Sequence, residues 1–272
     1  MTSQLFVRLV DAIDSGAFPK SRKWIWRRVY NVMSTFWRDG EWRFMNYGYI
    51  PPGAPFALDS EDEPERAFIG LYQQAVADLP LAGARVLEIG SGRGGGARYI
   101  ARYHNPASVV GIDFSPKTVA RAQALNKGQP GLSFAVGDAE NLPFADSSFD
   151  IVVNIESSHC YANVPAFAAE VSRVLAPGGW FTFADMRSRK MIGELDQQLA
   201  APGLSLMRTT DLTSGALAAL DAVDARKQER IRNLWLMRRF IREFAGSKGS
   251  MLYQGLTSGD VVYQARRYQK LA

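Results

Sequence analysis

Residues Arg85–Ile89 (RVLEI) form a short apolar run that stops abruptly at Gly90-Ser91-Gly92-Arg93-Gly94-Gly95-Gly96. No other feature of the chain constrains its fold as much. A five-residue run with β-branched members, closed by glycines, reads as a buried strand. The glycines let the main chain turn tightly and let a ligand come close to the backbone. Gly95–Tyr103 then reads as the helix that follows. Gly90, Gly92 and Gly95 match the G-x-G-x-x-G spacing of nucleotide-binding turns, which alone is weak evidence.

The same unit recurs downstream. Ser108–Ile112 reads as a strand with Lys117–Leu125 as its helix, Leu132–Val136 and Ile151–Ile155 as further strands, Val164–Leu175 as a helix and Gly179–Ala184 as a fifth strand. Strands alternating with helices imply an α/β fold, with a mostly parallel sheet, right-handed crossovers and helices on both faces. Leu204–Thr209 suits a sixth strand. Ser214–Phe244 is mostly helical, and Val261–Tyr268 suits a last strand after the Ser258-Gly259-Asp260 turn. A helical insert of about residues 210–250 before the final strand should cover the carboxyl edge of the sheet, where open α/β sheets bind ligands. Upstream, Glu65–Leu79 has helical periodicity, and the Pro- and acid-rich stretch from Tyr49 to Pro64 reads as a loop. We therefore expect an aromatic N-terminal extension over residues 1–60 and the main domain over 61–272.

Charge narrows the class of partner. Thirty-two Lys and Arg face 27 Asp and Glu, a net charge of +5. The excess gathers in Lys20, Arg22, Lys23, Arg27 and Arg28, interleaved with Trp24, Trp26, Tyr30, Phe36 and Trp37. That is too short a basic stripe for a nucleic-acid reader. It suits a helix that packs its aromatic side on the domain, covers an oily ligand or touches a membrane surface. Cys160 is the single cysteine, which excludes an internal disulfide and fits a reducing compartment. No secretory leader and no apolar run of spanning length is visible, so a cytoplasmic protein is expected.

Asp113 follows the second strand, where a carboxylate can accept hydrogen bonds from both hydroxyls of a ribose. It supports an adenosine-containing ligand without choosing among such ligands. Four further features choose. Glu88 stands two residues before the first glycine. Gly137-Asp138-Ala139-Glu140-Asn141-Leu142-Pro143-Phe144 follows the third strand, and Phe149-Asp150 opens the fourth. Leu175-Ala176-Pro177-Gly178-Gly179 precedes the fifth. In this order they resemble the motif series of class I S-adenosylmethionine-dependent methyltransferases. The resemblance implies a Rossmann-like seven-stranded, mostly parallel sheet with an N-terminal helical lid. It implies S-adenosyl-L-methionine as cofactor and no metal. The Gly90–Gly94 turn, with Ser91 and Gly92, would hold the methionine moiety, and Glu88 would lie near its ammonium group. Asp113 and Phe114 would face the ribose side, and Asp138 and Ala139 the adenine. Asp150 would be structural.

Glu156-Ser157-Ser158-His159-Cys160-Tyr161 follows the fourth strand and should face the acceptor. An aliphatic alcohol is a poor nucleophile until a base takes its proton, and histidine suits that task near neutrality. His159 is the better catalytic candidate of two histidines, because His104 lies in the turn Tyr103-His104-Asn105-Pro106 and reads as exposed. Glu156 can orient His159, act as the base or form an ion pair. Cys160 reads as a buried, inert thiol. Tyr47, Tyr49 and Tyr161 are candidates to face the acceptor and the sulfonium, with core packing the alternative for Tyr47 and Tyr49. Phe44–Tyr49, Glu61–Arg66, Glu156–Tyr161 and the Gly249–Tyr268 tail are similar to mycobacterial phthiotriolone and phenolphthiotriolone dimycocerosate methyltransferases and to fatty-acid O-methyltransferases. That similarity implies O-methylation of a hydrophobic lipid, fatty acid or polyketide acceptor. C- or N-methylation of a terpenoid, quinone or amine, and a non-methylating protein of the same fold, remain as alternatives.

Overall fold

The computed structural model describes residues 43–53, 55–231, 242–243 and 245–271. The expected aromatic helix before residue 43, with its lid and membrane-contact roles, lies outside the described residues, as does the centre of the insert.

Seven strands form one sheet: β1 (Arg85–Ile89), β2 (Ser108–Asp113), β3 (Leu132–Val136), β4 (Phe149–Ile155), β5 (Leu175–Ser188), β6 (Leu204–Asp211) and β7 (Val261–Lys270). Their spatial order is β3-β2-β1-β4-β5-β7-β6. The first five run parallel, and β7 inserts antiparallel between β5 and β6. The order reverses between β1 and β4, which opens a crevice at their carboxyl ends. Both are buried along almost their whole length because helices cover both faces. By contrast β6 is an edge strand, and Leu206 and Met207 are half exposed on it.

Among the described residues seven helices accompany the strands: α1 (Arg66–Val76), α2 (Gly95–Tyr103), α3 (Pro116–Leu125), α4 (Val164–Val174), α5 (Ile192–Leu199), α6 (Thr213–Ile231) and α7 (Met251–Ser258). The Ser115 hydroxyl caps α3 by accepting from Thr118 N at 3.2 Å, with Pro116 in the first turn. Asn163 caps α4 in the same way through Ala166 N at 3.1 Å. One core joins Leu71 and Val76 of α1, Ile100 of α2, Val119 of α3 and Ala216 and Leu220 of α6. The other joins Phe167 and Val171 of α4 with Leu195 and Leu199 of α5 and Phe181 and Phe183 of β5. Each such Leu or Phe contributes about 1.5–3 kcal/mol by leaving water.

Among the described residues the expected strands and helices are present, with β1, α2 and β3 at the expected limits. The end of α1 falls at Val76 rather than Leu79. Two helices were not read from the sequence. In α5 only Leu195 and Leu199 are buried, one i,i+4 pair and too little to display a period. In α7 a mid-helix glycine hides the pattern; a Cβ on Gly255 would sit 2.7 Å from Val261 Cγ2, so close packing explains it. Among the described residues no helix is long and apolar enough to cross a membrane.

Candidate active site

The turn after β1 is held by backbone, by a buried amide and by the Asp113 carboxylate. Gly90 N and Ser91 N both donate to Ile112 O, at 2.9 and 2.8 Å, tying the turn to β2. Asn126 Nδ2 donates to Arg93 O at 3.0 Å from the end of α3. Gly90 has φ +74°, and a Cβ there would lie 2.5 Å from the Ser157 side chain. Gly94 has φ +81° as the residue that starts α2, and its Cβ would enter the Phe134 ring at 2.3 Å. Only glycine meets both demands. In consequence the main chain is open to a cleft at the crevice.

Asp113 ends β2 on that cleft. Its carboxylate accepts from Gly92 N at 3.2 Å and Ser115 N at 2.9 Å. Burial pushes its pKa up to about 6 against those two amides. Phe114 beside it is 39% exposed and lines the rim of the cleft. At the end of β3, Asp138 and the buried Ala139 line the opposite wall, with Asp138 Oδ1 accepting from Glu140 N at 3.0 Å. Glu88 is placed differently: it is buried behind the lining residue Tyr72, whose hydroxyl donates to it at 2.6 Å. Burial raises the Glu88 pKa to about 7, opposed by that hydroxyl and the Ala97 amide. Gly94 shapes the turn without lining the cleft.

The remaining wall follows β4. Asn154, fully buried, donates through Nδ2 toward Ile89 O at 3.0 Å, Ser157 Oγ at 2.7 Å and Tyr161 Oη at 2.8 Å. Tyr161 is thereby fixed beside Gly90 and lines the cleft. Glu156 has φ +46°, a left-handed conformation that costs a non-glycine residue about 1–2 kcal/mol. Its carboxylate accepts from Tyr47 N at 3.0 and 3.2 Å and from the Tyr263 hydroxyl at 2.6 Å. Burial raises its pKa to about 7 against those donors.

His159 occupies a single 3-10 turn, Ser158–Cys160. Its Nδ1 lies 3.0 Å from Asp185 Oδ1, and its backbone N donates to Oδ2 at 3.1 Å. Asp185, buried in β5, also accepts from Ser158 Oγ at 2.7 Å and faces Arg187 Nη1 at 3.1 Å. Burial works against ionisation there, but Arg187 and His159 hold the carboxyl far below the usual range. Burial likewise opposes a charge on His159. The influence of Cys160 and Asp185 outweighs it, leaving the imidazole pKa well above its ordinary value.

Of the sequence candidates, the structure brings Gly90, Ser91, Gly92, Asp113, Phe114, Asp138, Ala139, Glu156 and Tyr161 together around one cleft. His159 stands beside the lining residues Cys160 and Tyr161 without lining it itself. Tyr49 is buried with its ring against Gly215 of α6, and the Tyr47 ring lies against Gly246. Two expectations are corrected. His104 is half-buried, not exposed, because it closes the end of α2 and packs edge-on against Tyr99 at 5.1 Å. Cys160 is half-buried on the cleft wall rather than inert in the core. Asp185, Tyr72 and Tyr263 were not identified from sequence, since nothing local marks residues that act across the fold.

Comparison with known proteins fits this geometry. The family model described as "Methyltransferase domain" matches residues 87–183. A phthiotriol/phenolphthiotriol dimycocerosates methyltransferase of Mycobacterium leprae is 37% identical over 269 residues, covering 97% of this chain and 99% of that one. A fatty-acid O-methyltransferase of Mycolicibacterium smegmatis is 38% identical over 204 residues, 72% of this chain and 73% of its own. The crystal structure of geranyl diphosphate C-methyltransferase from Streptomyces coelicolor, in complex with Mg2+, geranyl diphosphate and S-adenosyl-L-homocysteine, superposes with a TM-score of 0.64. It is 15% identical and covers 92% of this chain and 98% of its own, a likeness of fold alone.

Fold, cleft and family model together define an S-adenosylmethionine-dependent methyltransferase. The chain belongs to the family of the phthiotriol/phenolphthiotriol dimycocerosates methyltransferases. The residues present fit the cofactor. Ser91 Oγ is buried without a hydrogen-bond partner at a glycine cradle, and a buried orphan of that kind calls for a polar ligand group.

Proposed function

We propose that this enzyme methylates an oxygen of a hydrophobic, lipid-like acceptor, with His159 as general base held by Asp185. The observation that carries the reading is the His159 Nδ1–Asp185 Oδ1 pair at 3.0 Å beside the cleft. A carboxylate on Nδ1 fixes the proton on that nitrogen and directs basicity to Nε2, which is free to act once the imidazolium has lost its second proton above the ordinary histidine range. The bound cofactor supplies a methyl group already activated on a sulfonium. What is left to the protein is alignment of the acceptor oxygen and removal of its proton. The relatives named for dimycocerosate and fatty-acid acceptors support the oily character of the substrate. The apolar cover expected from residues 1–60 and about 210–250 is consistent with it.

In this reading Gly90, Ser91, Gly92 and Gly94 hold the methionine moiety and Glu88 supports its ammonium group through Tyr72. Asp113 and Phe114 take the ribose, Asp138 and Ala139 the adenine, and Tyr161 closes the wall near the acceptor. Tyr47 and Tyr49 act through packing, against Gly246 and against Gly215 of α6. A single cysteine supports a cytoplasmic setting.

The test compares His159→Ala on a long-chain alcohol and on the matching fatty acid. An alcohol needs a base and a carboxylate does not. The expected result is a fall in kcat of about 100-fold or more on the alcohol with the fatty acid nearly unaffected. Equal activity of variant and wild type on the alcohol would contradict the assignment.

A further inference from the structure

S-adenosylmethionine presents one anionic group, the carboxylate of its methionine moiety, and three of the charged side chains that line the cleft are acids: Asp113, Asp138 and Glu156. Among the described residues that line it, Arg43 is the single cationic side chain. Its place is set by the strap that precedes α1. Arg43 N donates to Glu65 Oε1 at 3.2 Å, Asn46 Nδ2 to Phe68 O at 3.3 Å, Tyr47 N to Glu156, and Tyr49 N to Ala67 O at 2.8 Å. These four ties lay the strap across α1 and the end of β4. The Arg43 carbonyl therefore rests on the first turn of α2, where a Cβ on Gly95 would lie 2.8 Å from it, and Met45 Sδ reaches to within 3.3 Å of one on Gly92.

The guanidinium has donors to spare. Nη1 stands 3.6 Å from Glu65 Oε2, beyond hydrogen-bond range, and Nε is buried with no partner. A guanidinium offers five N–H groups in a fork that matches a carboxylate, and a buried donor without an acceptor is costly.

We propose that Arg43 binds the carboxylate of the cofactor's methionine moiety, over the glycine turn and the first turn of α2. Ligand binding then completes the donor set of Arg43 and seats the strap as the fourth wall of the cleft. This assignment concerns the cofactor and stands whatever the acceptor proves to be.

Isothermal titration tests it with three ligands on wild type, Arg43→Gln and Arg43→Lys. These are S-adenosylhomocysteine, its decarboxylated form S-adenosyl-3-thiopropylamine, and methylthioadenosine, which lacks the whole amino-acid group. Wild type should bind the decarboxylated ligand about tenfold or more weakly than S-adenosylhomocysteine, the size of one charge-assisted contact. Arg43→Gln should lose about the same factor for S-adenosylhomocysteine, bind methylthioadenosine within about twofold of wild type, and no longer distinguish the carboxylated ligand. Arg43→Lys should recover part of the loss. Equal affinity of wild type for the two carboxylate-differing ligands overturns the proposal without any substitution. A loss in Arg43→Gln that is the same for methylthioadenosine overturns it too, because Arg43 then only holds the strap in place.

Discussion

The β1–β2–β3 side of the cleft is held by short-range ties that use the backbone, and the β4–β5–β7 side by side chains that reach across the fold. Gly90 N and Ser91 N share one carbonyl on β2, and Asp113 is fixed by amides two and 21 residues away. Glu156, in contrast, is fixed by Tyr47 and Tyr263, 109 and 107 residues distant, and His159 by Asp185, 26 residues distant. A backbone cradle tolerates side-chain change at its rim and fails only where a glycine is lost. A side-chain cluster can be retuned one residue at a time. In the proposed reading the first half takes the cofactor and the second the acceptor.

That contrast predicts a hierarchy of effects. The largest belongs to Gly90→Val. Its Cβ meets Ser157 at 2.5 Å and its φ is +74°, so S-adenosylhomocysteine affinity should fall about 100-fold or more, roughly 2.7 kcal/mol. Titration calorimetry reads this, and unchanged affinity would mean the turn is not a rigid cradle. Asp185→Asn belongs to the other half. It should cut kcat on an alcohol about 10- to 100-fold while S-adenosylhomocysteine binding stays within about twofold of wild type. With the anion gone, the acid limb of kcat/KM should move to lower pH, because Asp185 is one of the groups that raise the His159 pKa. A comparable loss of cofactor binding would erase the division between the halves.

Smaller effects concern pH. Burial raises Glu156 and Glu88 from 4.5 to about 7, and Asp113 from 3.8 to about 6. Each folded-state carboxyl therefore holds its proton where the unfolded chain has released it. Stability of the ligand-free enzyme should be greatest below about pH 4.5 as far as these groups decide. It should decline up to about pH 7 and level off beyond. Glu156→Gln should flatten part of that decline, worth about 2–4 °C in Tm for each kcal/mol removed, as thermal melts across pH would show. An unaltered slope would place the titration elsewhere. The smallest effect is that of Asp150→Asn. The Arg85–Asp150 pair is 2.8 Å long, yet 44% and 40% exposed. Its loss should cost about 1 kcal/mol or less, with cofactor affinity unchanged.

The same contrast explains what the sequence discloses. The β1 turn, Asp113 and the Asp138-Ala139 pair are legible because strand, turn and contact residue sit within one local segment, and a positive φ at Gly90 leaves its mark as a glycine. Asn154, Tyr72 and Tyr263 leave none. Each reads as an ordinary strand or helix residue until β4, α1 and β7 are brought together. The Asp185 carboxylate lies in a strand that reads as core, and only the β4–β5 register places it under His159. Tyr49 shows the converse: an aromatic in a striking motif turns out to fill the gap over Gly215 of α6. The absence of α5 and α7 from the sequence reading has the same root, since short helices with one or two buried positions carry too little pattern.

The account's central claim is tested most directly by mass spectrometry of products from the purified enzyme. It would be given S-adenosylmethionine carrying a deuterated methyl group and a mixture of long-chain alcohols, fatty acids, phenols and terpenoid diphosphates. The account predicts one labelled methyl on the oxygen of a long-chain acceptor, with S-adenosylhomocysteine formed in equal amount. A labelled methyl on carbon or nitrogen instead would contradict it, and would move the chemistry of the acceptor half from His159 to Glu156.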